Sequence, residues 1–113
     1  MTAYNRGDIV LVPFPFSNQT VIKKRPAVII SSARYNAASQ DIIIMAVPSR
    51  LEKVFDIGEC RIQNWQEAGL LKPSSIKPVL STIEQKLVLK KLGSLSTDDL
   101  TSLNVALKDL LEL

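Results

Sequence analysis

Apolar residues in the first half of the chain fall into three short blocks, Ile9–Val12, Ala27–Ile30 and Ile42–Val47, each four to six residues long. Pro13, Ser31 and Pro48 stop them. Blocks this short, unbroken and rich in β-branched residues describe buried strands, since a helix needs roughly 10–12 residues of sustained period. Gly7-Asp8 is a turn signal ahead of the first block. Residues 13–24, with two prolines and a Ser-Asn pair, predict a long hairpin loop. Pro26 is expected to open the second strand, where a missing N–H is tolerated. Residues 33–40 predict a polar connection to the third.

The second half changes period. Residues 54–62 alternate well enough for a half-exposed strand, and residues 63–71 predict a short helical turn carrying Trp65, either a loop anchor or a partner contact. Ile76–Glu84 and Val88–Leu92 predict two strands around a tight Gln85-Lys86-Leu87 connection. A helix is expected over 97–111. Ser96 is its N-cap, and Asp98 and Asp99 sit in its first turn, where carboxylates meet the helix dipole favourably. Leu100, Leu103, Leu107 and Leu110 form one apolar face. That face either docks on the chain's own sheet, the reading preferred here, or pairs with a partner. The expected fold is α+β, mainly β: a single domain over residues 1–113, built as a small, strongly curved antiparallel sheet or partly open barrel with a C-terminal amphipathic helix.

Composition removes several function classes. There is no histidine and only one cysteine, Cys60, which excludes zinc sites and His-based acid–base chemistry. Neither a P-loop nor a GxGxxG is present. One cysteine forms no internal disulfide and fits a reducing cytoplasm. The longest apolar block is far short of a membrane span, and the N-terminus lacks a signal-peptide core, so export is not expected. Residues 1–53 carry seven Lys/Arg against three Asp/Glu, and residues 54–113 seven against eight. The front half is therefore the basic half. An anionic partner there, most commonly nucleic acid, is one reading, and a chance imbalance is the other.

Three cations, Lys23, Lys24 and Arg25, stand directly before Pro26 and the second block. Taken with RGDIVLVPFPF before them, IIIMAVPS after them, and KPSSIKPVLSTIEQKLVLKKLGSLS ahead of the terminal helix, they resemble the PemK/MazF family of type II toxin–antitoxin toxins. The resemblance runs over nearly the whole chain in the same order. It implies an SH3-like barrel, a homodimer, and sequence-specific endoribonuclease activity (an mRNA interferase) against single-stranded RNA. It further implies no metal or other cofactor, a cognate antitoxin, and action in the bacterial cytoplasm away from membranes.

By that resemblance Arg25 is the active-site arginine. Its planar, permanently charged fork makes two charge-assisted bonds to phosphate oxygens. The family's threonine after the third strand falls on Pro48, with Ser49 next, so Ser49 supplies the hydroxyl if the chain bends there. The loop glutamate of some relatives is Thr20 here, and a later-strand arginine is Ser81. Asp8 is either a general base or a turn residue, the second preferred. Lys23 and Lys24 are expected to add general RNA affinity or to be solvated. Phe14 and Phe16, beside these cations, either stack unpaired bases or fold over the core.

Three rival readings stand beside the nuclease. One is a non-catalytic toxin of related architecture, like the CcdB proteins that poison gyrase. Another is a catalytically decayed homologue that still binds RNA or an antitoxin. The third is a small SH3-like interaction module with an unrelated partner.

Overall fold

A computed structural model of the chain describes residues 3–15, 22–49 and 57–113. Five strands, β1 (Asp8–Pro15), β2 (Ile22–Ile29), β3 (Asp41–Ala46), β6 (Leu80–Glu84) and β7 (Lys90–Ser94), make one antiparallel sheet in the order β6-β3-β2-β1-β7. Two-residue strands β4 (Cys60–Arg61) and β5 (Ser75–Ile76) pair separately. Helix α1 (Ala33–Ala38) links β2 to β3, and α2 (Thr97–Leu111) ends the fold. The expected curved, mainly β sheet with a C-terminal helix is what the chain forms, with β6 and β7 left as edges rather than sealed into a barrel.

The central strands read as unbroken apolar runs because both faces of the sheet are covered. One face packs Ile9, Val28 and Met45 with Leu103 and Leu107 of α2. The other packs Val10, Val12, Ala27, Ile29, Ile42 and Ile44 beneath Tyr4, Ile83 and Val88. Each fully buried Val, Leu, Ile or Met side chain among them contributes about 1.5–3 kcal/mol of burial. Helix α2 has the predicted bounds, and its leucine face docks on its own sheet. Trp65 packs partly buried against that cluster and is an anchor.

Several sequence expectations are corrected. The hairpin loop is shorter than residues 13–24, because β1 runs on to Pro15 and β2 starts at Ile22. Leu89 N donates to Leu11 O, so Leu11 presents its backbone groups to β7. Pro13 and Pro15 share that parity, and the β7 ladder has already ended at Leu11, so their missing N–H groups cost no bond. Pro26 lies inside β2 rather than opening it. Its carbonyl accepts from Val47 N at 3.1 Å, where the β3 ladder gives out.

Residues 33–38 are helix α1, not a polar loop. Ser32 caps it, with Oγ accepting Tyr35 N at 3.1 Å. Buried Asn36 fastens it by donating from Nδ2 to Tyr4 O at 3.0 Å. The strand expected over Ile76–Glu84 is divided at Lys77-Pro78 into β5 and β6. Of the strand expected over 54–62, residues 54–56 lie outside the described residues and only Cys60–Arg61 is strand.

Candidate functional site

Arg25 stands opposite Val12, and Pro26 opposite Leu11. Leu11 in turn faces Lys90 of β7. Pro26, Leu11 and Lys90 therefore form one row across three strands, its ends about 10 Å apart at ordinary strand spacing. After β3 the chain is tied on both sides. Val47 N donates to Pro26 O at 3.1 Å, and Pro48 O accepts Ser75 N at 3.3 Å. These bonds carry the 47–49 stretch past the residue next to Arg25.

Arg25 and Ser49 consequently line the same cleft, with a volume of about 570 Å³. Among the described residues its other charged lining residues are Lys72, Lys90 and Lys91, giving four cations and no carboxylate. Leu11, Pro26, Val47, Leu70 and Leu92 supply apolar wall.

The far wall depends on two glycines. Gly69, at φ +85°, and Gly93 press the turn over residues 63–69 against β7. A Cβ on Gly69 would overlap the Leu92 carbonyl, and one on Gly93 the Ala68 carbonyl. This contact sets Leu70 and Lys72 beside Lys90 and Lys91. Asp99 anchors the same turn from α2, its two oxygens accepting Gln63 N and Asn64 N at 2.8 Å each. Asn64 Nδ2 returns a bond to the capping Ser96 Oγ at 2.8 Å.

Asp8 has the structural role preferred for it. Only 3% exposed, its carboxylate accepts Asn5 N and Ser94 Oγ at 2.9 Å each, and it pairs with Lys91 Nζ at 3.3 Å. Lys23 and Lys24 lie exposed on β2 and do not line the cleft. Phe14 takes its place in the ladder opposite Lys23. Phe16 and Thr20 lie outside the described residues. Ser81 pairs with Ile44 in β6 and is not part of the cleft.

Sequence reasoning missed Lys72, Lys90 and Lys91 as site residues. Their signal was the KK pair before Leu92-Gly93, hidden because the second half is net acidic. Chemically, four cations with the hydroxyl-bearing Ser49 and Ser74 and an apolar wall suit an anionic ligand carrying apolar groups. Elsewhere, burial and then the nearby Asp99 carboxylate push the Cys60 thiol up to about 11. It stays protonated at neutral pH and offers no nucleophile. No helix among the described residues is long and apolar enough to cross a membrane.

Similar folds are found among solved structures. A mycobacterial endoribonuclease in complex with its cognate antitoxin superposes with a TM-score of 0.80 at 15% identity, covering 98% of this chain and 97% of that one. A MazE–MazF complex from Deinococcus radiodurans gives 0.78 at 19% identity, over 100% and 99% of the two chains. The Mycobacterium tuberculosis toxin MazF-mt6 gives 0.72 at 15% identity, over 92% and 97%. At such identities these likenesses speak for the fold. No curated protein matches the chain by sequence. The family model of the PemK-like, MazF-like toxins of type II toxin–antitoxin systems matches residues 5–111, and the chain belongs to that family.

Proposed function

We propose that this chain is the toxin of a type II toxin–antitoxin module, a sequence-specific endoribonuclease that cuts single-stranded RNA without a metal ion. The observation that carries this reading is the convergence of Arg25 and Ser49 on one cationic cleft. It acts in the cytoplasm as a homodimer, and a cognate antitoxin holds it inactive.

The 2′-hydroxyl oxygen attacks the adjacent phosphorus in line. The new P–O2′ bond forms as the P–O5′ bond breaks, leaving a 2′,3′-cyclic phosphate and a 5′-hydroxyl. One proton leaves O2′ and one reaches O5′. Arg25 holds two non-bridging phosphate oxygens with its fork and stabilises the charge that grows on them. Ser49 donates a hydroxyl hydrogen bond to the same group. Arg25 sits within β2, and Val47 and Pro48 just before Ser49 are tied by backbone bonds to Pro26 and Ser75, which lowers the cost of orienting the phosphate. Asp8 is not the proton acceptor, since its carboxylate is buried and already bonded to Asn5, Lys91 and Ser94.

The test is incubation of the purified protein with a long single-stranded RNA in EDTA, beside Arg25→Ala. Discrete fragments ending in cyclic or 3′-phosphate, lost in the variant, are expected. Full cleavage by Arg25→Ala would overturn the role of Arg25. Intact RNA across several substrates would overturn the nuclease reading and leave the binding-only toxins, gyrase poisoning first.

A further inference from the structure

Successive residues of a strand ordinarily point to opposite faces, yet Lys90 and Lys91 of β7 both line the cleft. Their partners Leu11 and Val10 are consecutive, so Lys90 keeps the row of Leu11 and Pro26, while Lys91 shares the Val10 side with Asp8, to which its Nζ is paired at 3.3 Å. The register slips by one residue only beyond them, at Leu92. Lys72 reaches the same cleft through the Gly69–Gly93 contact.

Resting on the ribonuclease reading, we propose that Lys72, Lys90 and Lys91 form a second phosphate-holding wall of the cleft, and that Asp8 is the positioning residue for Lys91. This wall takes the RNA phosphate neighbouring the one at Arg25. The strand row puts the Pro26 and Lys90 backbones about 10 Å apart, which sets the lysine wall to one side of Arg25. Lys91 lines the cleft, as Lys23 and Lys24 do not, and a buried carboxylate holds its ammonium at 3.3 Å. Asp8 shares its charge with Asn5 N–H and Ser94 Oγ–H, and Lys91 keeps 43% of its side chain exposed, with N–H donors left for a ligand. Even with Asp8 counted, the described lining residues give four cations against one acid.

The experiment measures binding of a single-stranded oligonucleotide, made uncleavable by 2′-deoxy substitution, across a salt series, with cleavage of the all-ribose oligonucleotide in parallel. Each phosphate contact on a single strand contributes about 0.7 to the slope of log K against log salt. Lys91→Gln should lower the slope by about 0.7, and the triple Lys72→Gln, Lys90→Gln, Lys91→Gln by about 2. Lys91→Arg should restore the Lys91 share, and the control Lys108→Gln should change nothing. Asp8→Asn should weaken binding in the parent but not in Lys91→Gln, a non-additivity that loss of stability alone does not produce. If the parent binds and cleaves RNA while the triple variant keeps the parent slope, this wall is wrong and the nuclease reading stands. If the parent neither binds nor cleaves, both fall. If the triple variant loses only binding of a poly-glutamate peptide, the wall serves a protein partner and the proposal is overturned.

Discussion

Asp99 of α2 holds the backbone of Gln63, thirty-six positions earlier, with Oδ1 accepting its N–H at 2.8 Å, while Oδ2 takes Asn64 N–H at the same distance. A helix-start carboxylate is usually a solvent-facing complement to the dipole. This one is 1% exposed and fastens the turn that forms the far wall of the cleft. Asp99→Asn replaces one accepting oxygen by an NH₂ group facing a buried donor. The expected loss is about 1.5–3 kcal/mol of stability, as for hydrogen bonds to a charged group. Urea unfolding checks it, and a midpoint equal to the parent's would show that water satisfies both amides.

The Gly69–Gly93 contact predicts an unequal cost for two glycine substitutions. Gly7, at φ +93°, has only a Leu100 methyl 3.3 Å from a built Cβ, a flexible end that can shift. Gly7→Ala should cost about 1–3 kcal/mol, the strain of a left-handed non-glycine residue. Gly69→Ala carries the same strain and adds an overlap with backbone carbonyl that no rotamer relieves. It should be the more destabilising of the two. Thermal melts of both variants decide this, and equal melting temperatures would contradict the contact.

Glu59 and Lys77 predict a third result. Their ion pair measures 2.7 Å, with the Glu59 side chain 7% exposed, and Glu59 Oε2 has no hydrogen-bond partner among the described residues. Lys77→Met leaves a buried carboxylate without its cation, a loss of about 3–5 kcal/mol. Adding Glu59→Leu to it should recover most of that, because the desolvated charge disappears too. Denaturant curves of the parent, single and double variants give the coupling directly.

Legibility from the sequence followed the kind of signal each element carries. Helix α2 was readable to the residue because its cap and leucine period are local. Ile9–Val12, Ala27–Ile30 and Ile42–Val47 announced strands because burial on both faces leaves no polar interruption. Proline misled in both directions. Pro13, Pro15 and Pro26 looked like boundaries, but Pro13 and Pro15 lie past the end of the β7 ladder, and Pro26 sits where the β3 ladder gives way to the Val47 N–Pro26 O bond. The six-residue helix α1 is too short to show a period and is held by Asn36 through contacts distant in sequence. Arg25 was a candidate mainly through family resemblance, and Ser49 only if the chain bent at Pro48; the structure shows both lining one cleft. Lys72 and Lys91 depended on a glycine contact and on the ion pair of Lys91 with Asp8, neither of which composition reveals.

Cys60 supplies a reactivity prediction with a definite pH course. Burial and the Asp99 carboxylate both disfavour the thiolate, raising the pKa from 9.0 to about 11. Alkylation by iodoacetamide should therefore be slow at pH 8 and keep rising through pH 10. A group whose folded pKa is raised stabilises the fold below its unfolded value and loses that contribution as pH climbs to the folded one. The contribution of Cys60 is thus complete below about pH 9 and gone above about pH 11. Asp99→Asn should shift the alkylation profile to lower pH, because it removes the second cause while burial persists. A profile with its midpoint near the ordinary thiol value would mean that Cys60 is open to water.

Arg25 carries the prediction most specific to the proposed chemistry. Arg25→Lys keeps the charge but replaces a planar fork with a point charge on a flexible stem. RNA affinity should hold nearly unchanged, since the counterions released on binding follow charge rather than shape. Turnover should fall by about 10²–10³, the usual effect of losing one oriented donor at a developing oxyanion. Single-turnover cleavage at saturating protein isolates that step from binding. A fall in affinity alone, with turnover retained, would make Arg25 a docking cation and move the catalytic burden to another group in the cleft.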